Sequence, residues 1–174
     1  MNYFEFYEME PSFNVDLSAL KDKFYANSKK YHPDFYTMES PMVQAEVMQK
    51  AVLNNKAYKT LTDFESRLKY ILELEGQLGE EGENKLPQQF LMEMMDLNEK
   101  IMELQFDFDQ KIFQDCQSEL KEMEASNLES IQKDLSNYTY GSNEKESMER
   151  IKFFYLKNRY LLRIKETLSK FANA

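Results

Sequence analysis

The chain has no tryptophan, one histidine (His32), one cysteine (Cys116), four glycines and four prolines in 174 residues. Each scarcity excludes a class of protein. One cysteine cannot close an internal disulfide, and one histidine with one cysteine leaves too few ligands for a structural zinc site. A di-iron bundle built on paired Glu-x-x-His helices needs two histidines. So little glycine and proline starves both turn-dense all-β folds and glycine-rich phosphate loops. No run approaches eighteen apolar residues, and the N-terminus lacks a basic segment followed by an apolar one. The expectation is therefore a cytoplasmic protein in a reducing setting, without a membrane partner. The net charge of −9, from 22 Lys and Arg against 31 Asp and Glu, argues against a nucleic-acid partner held by phosphate contacts.

What remains is a composition that builds helices. Apolar residues make up 42%, enough for a core, and charged residues make up 30%, enough for a solvated surface. Three of the four glycines, Gly76, Gly79 and Gly82, fall within the acidic stretch from Glu75 to Glu83, with Pro87 shortly after. This is the one linker candidate, and it divides the chain into a domain over 1–75, a linker over 76–87 and a domain over 88–174. In the first domain Asp16 suits an N-cap for a helix whose apolar positions Leu17, Leu20, Phe24 and Tyr31 step by three, four and seven. That helix stops by His32, because Pro33 forces the preceding residue out of the α region. Its Lys23, Ala26, Lys29 and Lys30 lie opposite the apolar stripe. After a loop over 33–39, Ser40-Pro41 opens a helix to about Thr60, and a short one runs from Asp63 to Leu74. In the second domain one helix starts near Gln88, a break is expected at 107–109, and Gly141 marks an interhelix turn. Asn143 with Glu146 resembles a capping box for a last helix of roughly 28 residues. The fold class expected is all-α: a helical hairpin followed by a three-helix bundle.

The tripeptide His32-Pro33-Asp34 sits in a short loop between a helix with a basic face and a second helix. With Tyr3-Phe4 at the start, Tyr31 before the triplet and Asn54-Asn55-Lys56-Ala57-Tyr58 after it, this segment resembles the J-domain of DnaJ-type co-chaperones. The resemblance narrows when Phe90-Leu91-Met92-Glu93 opens a helical bundle after the third J-domain helix. That layout is similar to the HscB family of iron–sulfur assembly co-chaperones, of the bacterial type. The chain departs from the family pattern at Asp63, which is followed by Phe64 where aspartate-proline is often found. The resemblance implies that His32, Pro33 and Asp34, with Lys23, Lys29 and Lys30, bind a DnaK/HscA-class ATP-dependent chaperone, with Asp34 meeting an arginine. It implies regulation of that partner's ATPase, no cofactor and no catalysis by this chain. Without it, His32 and Asp34 read as an ordinary helix end and loop cap, with the lysines as a solvated face.

A second surface lies on the helix from Gln88. Phe90, Met94, Leu97, Ile101, Leu104 and Phe108 alternate steps of four and three, a seam that fills a bundle interior. Leu91, Met95 and Met102 lie well around the wheel from that seam, with Met92, Asp96, Glu99 and Glu103 continuing over the outer face. By the same resemblance, Leu91, Met92, Met95, Asp96, Glu99 and Glu103 hold the iron–sulfur scaffold protein, and Phe153 on the last helix adds an aromatic anchor. A helix apolar on two sides is equally suited to burial between neighbours, so both readings of Phe153 stand. Cys116, in phase with Phe113 and Leu120, reads as core. The function implied is an adaptor that presents the scaffold to the chaperone. The alternatives are a J-protein for another client, or a helical interaction protein with an incidental triplet.

Overall fold

A computed structural model describes residues 1–79, 84–142 and 144–172. The described residues are helical, with no strand among them: α1 (Tyr3–Phe6), α2 (Leu17–Lys30), α3 (Pro41–Thr62), α4 (Phe64–Leu74), α5 (Gln88–Phe106), α6 (Gln110–Asn137) and α7 (Lys145–Ala172), with a 3-10 turn over Pro33–Tyr36. Gly82 of the expected linker, Asn143 of the expected capping box, and 173–174 lie outside the described residues.

The chain forms two compact units. The first comprises Met1–Glu75 and Tyr138–Ser142; the second comprises Gly76–Asn137 and Asn143–Ala174. A division at 75/76 alone would have placed 138–142 with the bundle, whereas this turn groups with the N-terminal unit. Tyr138 explains the grouping: its ring lies 4.6 Å from that of Phe13, and its hydroxyl donates to Glu75 Oε1 at 2.7 Å. The Gly141 amide donates to the same oxygen at 3.1 Å from a backbone with φ of +72°, a conformation glycine adopts without a Cβ penalty.

In the first unit α2 and α3 run antiparallel. Asp16 caps α2 by accepting from the Ser18 and Ala19 amides, and Ser40 caps α3 through Val43 with Pro41 at the first helical position. Leu20 is fully buried and Phe24 stacks on Tyr58 at 4.2 Å, but Leu17, expected in the stripe, stands half-exposed at the helix start. A buried polar network ties α2 and α3 to Tyr7, the residue that ends α1. The Tyr7 hydroxyl donates to Asn54, whose Nδ2 donates to the Phe24 carbonyl at 3.1 Å and to Ser28 Oγ at 3.0 Å. Tyr7 is 2% and Asn54 1% exposed, so these groups are stable inside only because each finds a partner. Arg67 of α4 is also buried, with its guanidinium donating to the carbonyls of Phe13 and Leu61.

In the second unit Phe90, Met94, Leu97, Ile101 and Leu104 of α5 pack with Phe113, Cys116 and Leu120 of α6 and Leu161, Ile164 and Leu168 of α7. Each large side chain so buried contributes on the order of 1.5–3 kcal/mol. Phe108 leaves the expected seam because α5 ends at Phe106; its half-exposed ring instead lies 5.7 Å from Phe113. Asp109 begins α6 by accepting from the Lys111 and Ile112 amides. Polar clamps hold the helices in register: Lys100 to Glu119, Asn98 to the Tyr160 hydroxyl, and Arg150 to Asp134.

Candidate functional site

Two surfaces, one on each unit, carry the side chains singled out by sequence. The first is the α2–α3 loop. The His32 carbonyl accepts from the Phe35 amide at 3.1 Å, and its ring Nδ1 accepts from the Asp34 amide at 3.3 Å. In the neutral imidazole that hydrogen bond assigns the ring proton to Nε2. Asp34 Oδ2 lies 3.7 Å from Nδ1, yet the aspartate side chain is 82% exposed, open to an incoming cation. The loop backbone is anchored from both sides. The Tyr36 hydroxyl donates to the Lys30 carbonyl at 2.7 Å, and Gln44 Nε2 donates to the carbonyls of Thr37 and Glu39.

Lys29 and Lys30 are exposed beside this loop in the last turn of α2, where the helix dipole favours cations. Lys23 is half-buried on the flank of α2 instead of standing opposite its apolar stripe. Reading α2 alone missed Lys50. This α3 residue places Nζ 5.5 Å from the Tyr31 ring centre, while Lys30 places its own at 5.3 Å. Glu46 accepts from Lys50 at 2.6 Å, which raises the lysine pKa and lowers that of the glutamate. The Glu-to-Lys spacing of four was the signal for that ion pair; the approach of Lys50 to Tyr31 is set by the hairpin.

The second surface is the outer face of α5. Leu91, Met95 and Met102 form a ridge that is 42%, 56% and 58% exposed, while the seam on the other side is buried. Met92, Asp96, Glu99 and Glu103 are exposed along the flank of that ridge. Phe106, which sequence reasoning passed over, continues it at four residues beyond Met102 and is 87% exposed. The step of four was the available signal. Phe153 is half-buried. It lies two turns before Tyr160, whose ring meets Phe90 at 5.6 Å, and therefore shares the side of α7 that α5 covers further along. Cys116 is fully buried, and burial pushes its thiol pKa up, away from thiolate chemistry. No group of acidic, histidine and cysteine side chains able to hold a metal occurs among the described residues. No helix among them is long and apolar enough to cross a membrane.

A basic helical hairpin with an exposed His-Pro-Asp turn, followed by a helical bundle, is the architecture of J-domain co-chaperones. Residues 86–169 match the family model of the HSCB C-terminal oligomerisation domain. The human iron–sulfur cluster co-chaperone protein HscB is 29% identical over 96% of this chain, an alignment spanning 67% of that protein. A co-chaperone HscB homolog of Vibrio cholerae is 36% identical over 58% of this chain, which spans 60% of that relative. The crystal structure of human HscB matches 97% of this chain and 81% of its own, with a TM-score of 0.73 at 26% identity. HscB from Vibrio cholerae matches 97% and 99%, with a TM-score of 0.62 at 26% identity. The C-terminal part of the chain thus matches the HscB C-terminal domain, and the chain as a whole is similar in sequence and in fold to HscB co-chaperones.

Proposed function

We propose that the chain binds an iron–sulfur scaffold protein through the α5 face, delivers it to a DnaK/HscA-class chaperone in the cytoplasm, and stimulates that chaperone's ATPase without being an enzyme itself. The observation that carries this reading is the exposed Asp34 carboxylate on a loop whose backbone is already tied down. Docking an anchored loop costs less ordering entropy than docking a mobile one. Lys29 and Lys30, with Lys23 on the flank, supply positive charge that steers an acidic partner and sets orientation, an effect that weakens as salt rises. On α5, Leu91, Met92 and Met95 offer an apolar centre, and Asp96, Glu99 and Glu103 an acidic rim, the pattern of an interface whose middle carries the affinity. Phe153 contributes from the neighbouring helix.

Asp34→Asn tests the first half. It removes the charge and keeps the shape, so stimulation of the chaperone's ATP hydrolysis should vanish while scaffold affinity and melting temperature hold. Unchanged stimulation would overturn the assignment. For the second half, Leu91→Ala with Met95→Ala should weaken scaffold binding by about 2–4 kcal/mol in a calorimetric titration. Equal affinity, or a collapse of thermal stability in its place, would assign these side chains to the core. Failure of the unmutated chain to bind the scaffold, with stimulation intact, would favour a J-protein serving another client.

A further inference from the structure

The α2–α3 loop is turned inside out with respect to polarity. Hydrogen-bonding side chains, Tyr36 of the loop and Gln44 of the start of α3, fold back to satisfy backbone carbonyls of the hairpin. Large apolar side chains of the loop and of the first turn of α3 stand in solvent: Phe35 is 68%, Met38 97% and Met42 80% exposed. Three such residues within eight positions, on a backbone held by these bonds, form a fixed apolar display, not one left open by slack in the chain. Exposed apolar clusters of this kind mark interaction sites more often than chance. The arrangement has no role in the hairpin's own packing, which is completed by Val47, Leu61 and Leu20 on the inner side.

We infer that Phe35, Met38 and Met42 form an apolar contact with the ATPase chaperone, beside the charged contact of Asp34 and the lysines. The inference rests on the reading of the loop as the chaperone-binding element. The occupant follows from continuity. Phe35 adjoins Asp34 in sequence, its ring centre lies 5.6 Å from that of His32, and the other two residues follow within the next two turns of chain. A partner seated on the triplet covers this display as well. The chemistry required of that partner is an apolar recess bordered by carboxylates, the recess for Phe35 and the methionines and the carboxylates for Lys29 and Lys30. Methionine suits such a contact because its unbranched thioether adapts to an irregular recess.

The test is a titration of a DnaK-class chaperone's ATPase with the full chain carrying Phe35→Ser, Met38→Ser and Met42→Ser together. The concentration for half-maximal stimulation should rise at least tenfold, the stimulation at saturation should be kept, and the salt dependence should be unchanged because no charge is altered. A companion with leucine at the same three positions should restore the original half-maximal concentration, which a merely structural defect of the loop would not allow. An unchanged serine variant, or a leucine variant as weak as the serine one, overturns the inference. So does a wild-type chain that self-associates in sedimentation without chaperone while the serine variant does not, since the display would then meet a second copy. If the unmutated chain gives no stimulation, the reading of the loop fails, and the inference fails with it; stimulation by the unmutated chain with an unaffected serine variant sinks the inference alone.

Discussion

At the scale of single residues, the hairpin's geometry depends on polar groups that hydropathy places on the surface. Tyr7 illustrates the point: its ring fills the core while its hydroxyl donates to the backbone oxygen and Oδ1 of Asn54. Tyr7→Phe keeps the ring and deletes the donor. It should cost about 1–3 kcal/mol in denaturant unfolding, because Asn54 is left with buried acceptors short of a partner. Burial raises the Tyr7 pKa, so the folded state holds this proton more tightly than the unfolded chain. Stability from that source is complete below about pH 10 and is lost as pH rises above it, a loss absent from the phenylalanine variant. Little of this network was legible beforehand. Asn54 was visible as part of a motif, but an asparagine within a helix reads as solvated unless the neighbours across the hairpin are known. Arg67 was hidden for the same reason. His32, Pro33 and Asp34 were legible because their effect is local: proline ends the helix wherever the rest of the chain lies.

At the scale of elements, caps and periodicity gave the helices well. Asp16, Ser40 and Asp63 each accept from amides of the first turn they precede, and α4 starts at Phe64, one residue after the expected start at Asp63, which caps it instead. Periodicity went astray where it was carried past a helix end. Phe108 continues the α5 rhythm on paper, yet the helix has already stopped at Phe106. The α6–α7 pair depends on charge as well as packing. Arg150 donates two hydrogen bonds to Asp134, and Ser147 adds a third, holding the Asp134 carboxyl below the usual carboxylate range, mainly through the arginine. A depressed pKa stabilises the fold fully above the unfolded value of about 4 and ceases to do so as pH falls through the folded value. Arg150→Met should therefore lower the urea midpoint at pH 7 and converge on the unmutated chain once the pH has fallen through the folded value. A constant difference across that range would show that the arginine acts through its aliphatic stem alone.

At the scale of the molecule, the total charge of −9 conceals a local reversal. Lys29, Lys30 and Lys50 gather at the hairpin end, while Asp96, Glu99 and Glu103 line the exposed face of α5. Raising ionic strength should reduce the rate of chaperone association more than the stimulation at saturation, measured by stopped-flow mixing at two salt concentrations. The existence of two units was legible from the glycine-rich acidic stretch. Their membership was not, because no local signal near Tyr138 announces that its ring meets Phe13, which lies far away in sequence.

That membership bears on how the protein can be cut. The polypeptide passes between its units three times, near 76, 138 and 143, so no single cleavage separates them into intact halves. A peptide ending at Glu75 keeps every helix of the hairpin but loses the aromatic lid over Phe13 and the hydroxyl and amide that hold Glu75. Such a peptide should melt at a lower temperature than the same residues within the whole chain and should bind a dye that reports exposed apolar surface. Regrafting the pentapeptide 138–142 onto it through a flexible tether should recover part of the loss. What looks like a bundle turn is thus a piece of the N-terminal unit, encoded some sixty residues downstream of the helix it completes.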